Sequence, residues 1–247
     1  MFLGEARSAV KVLVTDDEHP ARLVDALCFR GKIGAKRDRT MAETKIQQTG
    51  DAAGLAALIA RAAGQTGGEA RGLPPVDRWN PPFCGDIDME IRGDGTWFYM
   101  GTPIGRQPLV RLFSTVLRKD DDGRTYLVTP VEKVGIRVAD APFVAVEMSV
   151  TVRDGKTVLT FRTNVGDVVE AGSEHPLRFV IHGDNRELKP YLHVRGRLEA
   201  LVSRPVMYDI VELGATALID GVEMFCVGSA GAVFPIMPAA ELEALSR

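Results

Sequence analysis

Residues 86–100, DIDMEIRGDGTWFYM, decide the fold class. Ile87, Met89 and Ile91 alternate with Asp86, Asp88, Glu90 and Arg92, the period of a strand with one apolar and one charged face. Gly93-Asp94-Gly95 follows as a turn, because glycine accepts positive φ, and TWFYM returns as the second arm of a hairpin. In RQPLVRLFSTVLRK, Leu109, Leu112, Phe113, Val116 and Leu117 stand at helical spacing with Pro108 near the start, an amphipathic helix. Strands are expected next at Thr125–Thr129, Lys133–Val138 and Phe143–Arg153. The last alternates cleanly through Val144, Val146, Met148, Val150 and Val152.

The same grammar returns further on. Leu177–His182 reads as a strand, Gly183-Asp184-Asn185 as a turn and Leu188–Arg195 as a returning strand. Gly196-Arg197 then leads into LEALVSRPVMYDIVEL, a second helix expected to kink at Pro205. Gly93-Asp94 precedes Gly105-Arg106 by twelve positions and Gly183-Asp184 precedes Gly196-Arg197 by thirteen. Two short patterns in one order on matching elements point to a duplicated hairpin–helix unit. The expected class is α+β: two similar units of antiparallel strands, each with a packed helix. The first unit is expected over residues 73–138 and the second over 139–247.

Composition narrows the function classes. The chain has 247 residues, 45% hydrophobic and 26% charged, with a formal net charge of -3. That balance gives no reason to expect nucleic-acid binding across the surface. Cys28, Cys84 and Cys226 are scattered and odd in number, against a disulfide framework or a zinc cage and in keeping with a reducing compartment. No apolar run reaches the roughly 18 residues of a membrane helix, and the amino terminus lacks a signal-peptide core. A cytoplasmic location is expected. Residues 41–72 read as a short helix followed by a glycine-rich linker. Residues 1–40, with the basic run Arg30, Lys32, Lys36, Arg37 and Arg39, read as a disordered extension upstream of a natural start at Met41.

No phosphate-binding loop, dinucleotide fingerprint or nucleophile elbow is present. His175, His182 and His193 match no ligand spacing, and Asp120-Asp121-Asp122-Gly123 reads as a solvated turn rather than a calcium loop. No catalytic residue, metal or cofactor is therefore assigned. Arg106 and Arg197 each stand at the start of an expected helix, where free backbone N–H groups and a guanidinium together can receive an anion. Glu132 and Lys133 are neighbours at a strand start, so they point to opposite faces. One of them turns inward and needs a partner, either a structural ion pair or a ligand.

Leu73-Pro74-Pro75-Val76, Trp79-Asn80-Pro81, Gly85-Asp86-Ile87-Asp88-Met89, the run Tyr126–Lys133 and Asp140-Ala141-Pro142-Phe143 together resemble a bacterial family, domain of unknown function 1285. Arg195–Leu201 and Gly228-Ser229-Ala230-Gly231 fit the same pattern, over roughly Leu73 to Pro238. The resemblance implies a duplicated core whose carboxy-terminal unit is superficially like a pleckstrin-homology fold. It also implies a groove between domains that holds a nucleotide-like ligand, and a role in signal transduction.

The expected function is binding of a small anionic, nucleotide-based ligand between the two domains. Arg106 and Arg197 would take anionic groups, Lys133 would add charge beside Glu132, and Trp79 would stack on a ring. The alternatives are a protein-interaction module presenting a sheet edge or helix groove, and an enzyme acting on a phosphorylated small molecule.

Overall fold

A computed structural model describes residues 51–62, 72–183 and 186–245. The expected extension over residues 1–40 and most of the glycine-rich linker lie outside the described residues. Helix α1 (Ala52–Ala62) comes first, with Leu55, Ala56 and Ile59 buried. The first unit follows as β1 (Phe83–Ile91), β2 (Trp97–Tyr99), β3 (Thr102–Pro103), α2 (Gln107–Thr115), β4 (Leu117–Lys119), β5 (Thr125–Val128) and β6 (Lys133–Val138). The second holds β7 (Phe143–Arg153), β8 (Lys156–Thr163), β9 (Val168–Glu170), β10 (Leu177–His182), β11 (Glu187–Arg195) and β12 (Leu198–Val202). Helix α3 (Arg204–Glu212), strands β13 (Ala215–Ile219), β14 (Val222–Ser229) and β15 (Ala232–Pro238), and helix α4 (Ala239–Leu245) complete the chain.

The duplication is plain in the strand order. The first six-stranded sheet runs β3-β2-β1-β6-β5-β4, and the second, taken from its other edge, runs β9-β8-β7-β12-β11-β10. Each is a pair of three-stranded meanders, joined where the first strand of one lies parallel to the last strand of the other: β1 with β6, β7 with β12. The fold class is α+β with two similar sheets, as expected.

The repeat pairs different elements from those matched by spacing. Gly105-Arg106 does lead into a helix, α2, with Arg106 as its N-cap. Gly196-Arg197 instead turns β11 into β12, and Gly196 takes φ of 53° there. Leu198–Val202 alternates buried and half-buried as a strand. Helix α3 begins only at Arg204, so Pro205 sits in its first turn and kinks nothing. Arg197 is thus not at a helix amino terminus.

The first unit's helix also ends sooner than its apolar spacing predicts. Helix α2 stops at Thr115, where Ser114 and Thr115 hydroxyls donate back to the Arg111 and Leu112 carbonyls at 2.7 Å each. Such back-bonding by Ser and Thr loosens a helix end. Val116 and Leu117 remain fully buried, but Leu117 belongs to β4.

One apolar core joins all layers. Trp97, Phe113 and Met89 from the first unit meet Phe143, Phe161 and Leu192 from the second, with Leu55 and Ile59 of α1. The three-stranded sheet β13-β14-β15 is fastened to the second sheet by Ser229, buried at 1% exposure. Its hydroxyl donates to the Ala171 carbonyl at 2.7 Å and accepts from the Leu159 N–H at 2.9 Å. Polar ties also cross the seam between the two units. Arg195 donates to the Ser114 carbonyl (2.9 Å) and to Asp167 (2.6 Å), and Asn164 bridges Gly95 and Val144.

Candidate functional site

The proline-rich stretch ahead of β1 cannot join a sheet interior, since proline donates no ladder hydrogen bond. It instead makes one short helical turn, Val76–Arg78, and lays Trp79 partly against the core. Arg118 on β4 holds it there, donating to the Val76 carbonyl at 2.9 Å and to the Trp79 carbonyl at 2.6 Å. Through Nε and Nη2 the same guanidinium grips Asp120, at 2.6 and 3.2 Å. Lys133 closes the cluster, its Nζ 2.7 Å from Asp120 and 4.4 Å from the Tyr126 ring centroid. Burial works against the charge on Asp120, yet the hydrogen bonds from Arg118 and Lys133 outweigh it and hold the carboxyl below its ordinary range.

The Glu132-Lys133 corner is therefore a turn. The Thr129 N–H donates to the Glu132 carbonyl at 3.0 Å, and the Glu132 N–H donates to the Thr129 hydroxyl at 3.2 Å. Glu132 is the inward member, 2% exposed, while Lys133 reaches Asp120 as an ion pair.

Three adjoining cavities lie along one stretch of the seam between the units, and a separate one opens farther along between Gly93-Asp94 and Val144. The largest, 750 Å³, is walled by Trp79, Asn80 and Asp77 on one side, by Arg118 through Asp122 along its base, and by Gly196-Arg197 of the second unit. A second, 170 Å³, runs beneath Leu73 and Pro74 to Arg195 and Leu198. A third, 190 Å³, opens between Asp140-Ala141-Pro142 and the strands carrying Arg178, Tyr191 and Glu199. Lys119 and Arg197 stand in the walls of all three. Among the described residues Lys119 enters no ion pair, whereas Arg197 meets the well-exposed Asp121.

Of the five residues expected at a site, the structure brings together two. Trp79 and Arg197 face the same cavity, from different units. Lys133 sits one residue behind it, bound to Asp120, and Glu132 and Arg106 line none of the three cavities. His175 and His193 stack with ring centroids 5.5 Å apart, and His193 Nε2 lies 2.8 Å from the Gly196 carbonyl, bracing the turn that carries Arg197. Among the described residues no group of three His, Cys, Asp or Glu is placed to hold a metal ion. No helix among them is long and apolar enough to cross a membrane.

Comparison with known proteins places this geometry. The N-terminal domain model of the family described as domain of unknown function (DUF1285) matches residues 74–141, and the C-terminal domain model matches residues 142–236. The chain belongs to the DUF1285 family. A crystal structure of a DUF1285 family protein from Silicibacter pomeroyi DSS-3 is 51% identical, covers 71% of this chain and 93% of its own, and superposes with a TM-score of 0.65. A second DUF1285 family structure, from Shewanella baltica OS155, is 27% identical over 50% of this chain and 90% of its own, with a TM-score of 0.40. No curated protein matches.

The boundary between the two DUF1285 models falls at Ala141-Pro142, on the rim of the third cavity. The seam is thus built by both domains. Sequence reasoning misses Arg118 and Lys119 because they follow an apolar run at helical spacing and look like its tail. It misses Asp140, Arg178, Tyr191 and Glu199 because no short spacing connects them; only the strand order brings them side by side.

Proposed function

We propose that this DUF1285 protein is a cytoplasmic ligand-binding protein that takes a nucleotide in the seam between its two domains. The observation that supports this most is that Lys119 and Arg197, one from each domain, line three adjoining cavities of the seam, with Trp79 at one end. A phosphate placed between them meets one cation without an ion pair and one whose partner is exposed. The Arg197–Asp121 pair is open to solvent, so exchanging Asp121 for a phosphate costs little.

The wall is mixed in sign, and a naked polyanion would meet Asp77 and the Asp120–Asp122 turn. Besides Asp121, which pairs with Arg197, two of those carboxylates are engaged within the first domain, Asp120 with Arg118 and Lys133, Asp122 with the Tyr126 hydroxyl. A nucleotide answers this arrangement because its base and ribose donate hydrogen bonds to carboxylates while its phosphates seek cations. Trp79 offers a face for the base. Cys84 and Cys226 are free thiols, in keeping with a reducing compartment. A signalling role, implied by the family resemblance, would follow from nucleotide occupancy of the seam being read by a partner.

Isothermal titration of nucleoside mono- and diphosphates at low salt tests the reading. Binding is expected to weaken about tenfold or more in Arg197→Ala and in Trp79→Ala, a loss of about 1.4 kcal/mol each, and to stay unchanged in Arg106→Ala. Absence of binding by every nucleotide would sink it.

A second reading has one observation behind it. Strand β13, ATALI, is the edge of its sheet, carries no charge, proline or register shift, and has four of its five residues exposed. Natural edge strands are usually blunted by such features, so a bare one can accept a peptide strand. Leu218→Lys would abolish partner binding there and leave nucleotide affinity untouched.

A further inference from the structure

The third seam cavity carries more chemistry than a phosphate needs. Its walls hold two carboxylates, Asp140 and Glu199, and each is already held by cations or hydroxyls. Asp140 accepts the Tyr191 hydroxyl at 2.8 Å on one oxygen and Lys189 at 2.9 Å on the other. Glu199 accepts Arg178 in a two-pronged grip, at 3.1 and 2.8 Å. Arg178 in turn lies over the Tyr191 ring, 4.5 Å from its centroid. Ala141, Pro142 and Val180 form an apolar floor.

This arrangement selects by elimination. A second anionic group would face Asp140 and Glu199, and a cationic group would face Arg178, Lys119 and Arg197. Either leaves like charges opposed. A neutral polyol fits both signs, because each hydroxyl donates to a carboxylate and accepts from a cation. Every oxygen of Asp140 and Glu199 uses one acceptor site on its present partner and retains another. The apolar floor suits the C–H face of a sugar ring. A volume of 190 Å³ suits a single sugar rather than a second nucleoside. The cavity shares Lys119 and Arg197 with the larger one, so a group bonded to the far side of the phosphates would arrive there.

We propose that the third cavity is a sugar subsite, and that the ligand of this protein is a nucleoside diphosphate sugar. The base lies on Trp79, the diphosphate between Lys119 and Arg197, and the sugar among Asp140, Glu199 and Arg178. This rests on the nucleotide reading given above and adds the class of the attached group.

Titration of the full chain with UDP, ADP and GDP beside UDP-glucose, ADP-glucose and GDP-mannose tests it. One sugar nucleotide is expected to bind about tenfold or more tightly than its own diphosphate. Glu199→Gln is expected to remove that increment and leave the diphosphate affinity unchanged. Val180→Phe, which fills the cavity without touching its charges, should do the same, and circular dichroism checks that both variants fold. A sugar nucleotide that binds no tighter than its diphosphate overturns the subsite and leaves the nucleotide reading standing. Free glucose or mannose binding as tightly as the sugar nucleotide also overturns it. Failure of every diphosphate and sugar nucleotide to bind removes both.

Discussion

Asp120 shows how a residue in a turn can become part of the seam's framework. It is one of three consecutive aspartates that read as a solvated corner, yet it receives Arg118 and Lys133 and is four-fifths covered. Its folded carboxyl is held below the range of an unfolded aspartate, so between the two values the unfolded chain binds more protons. The contribution is therefore present above about pH 4 and lost as acid titrates the folded carboxyl. Asp120→Asn is expected to cost roughly 1–3 kcal/mol at neutral pH. Urea unfolding of the two proteins should show that gap closing as the pH falls below about 4. Neither Arg118 nor its partners could be read from spacing, because contacts spanning 39 and 42 positions leave no local trace.

Strand β7 separates what periodicity can tell from what it cannot. Its bounds, Phe143–Arg153, agree with the alternation, as do those of β10. Which face is buried does not follow. Val146, Val150 and Val152 are exposed, Val152 at 73%, while Phe143 and Ala145 are in the core. A register shift against β8 between Ala145 and Glu147 turns the strand, and beyond it the hairpin arm runs out over solvent. Val150→Thr and Val152→Thr should each change stability by no more than about 0.5 kcal/mol, whereas Leu159→Ala on the paired strand should cost about 2–5 kcal/mol. Thermal unfolding of the three variants is the check. The strand Leu198–Val202 was hidden by a different effect. Leu, Glu and Ala favour helix in isolation, and pairing on both sides, with β11 and β7, overrides that preference.

At the scale of the molecule the sheets share one core, and small polar clamps align them. Asn164 accepts the Val144 N–H at 3.0 Å and donates to the Gly95 carbonyl of the first unit at 3.2 Å. Gly95 has φ of 81°, and a Cβ there would meet Asn164 Nδ2 at 2.6 Å. Asn164→Ala is expected to lower stability by roughly 1–3 kcal/mol while unfolding stays a single transition, read by circular dichroism and tryptophan fluorescence together. Duplication was legible because turns and strands recur in order along the chain. The register of the repeat was not, since two Gly-Arg pairs of like spacing fall on unlike elements.

The parallel contact at the centre of each sheet has a consequence for how the chain is made. A hairpin cannot join parallel strands, so everything between β1 and β6, or between β7 and β12, is the crossover. The last strand to leave the ribosome in each unit goes to the middle of its sheet, not to the edge. Until it arrives, two half-sheets each present a bare central edge. A nascent chain halted just short of β6 or β12 would therefore be adhesive to its neighbours.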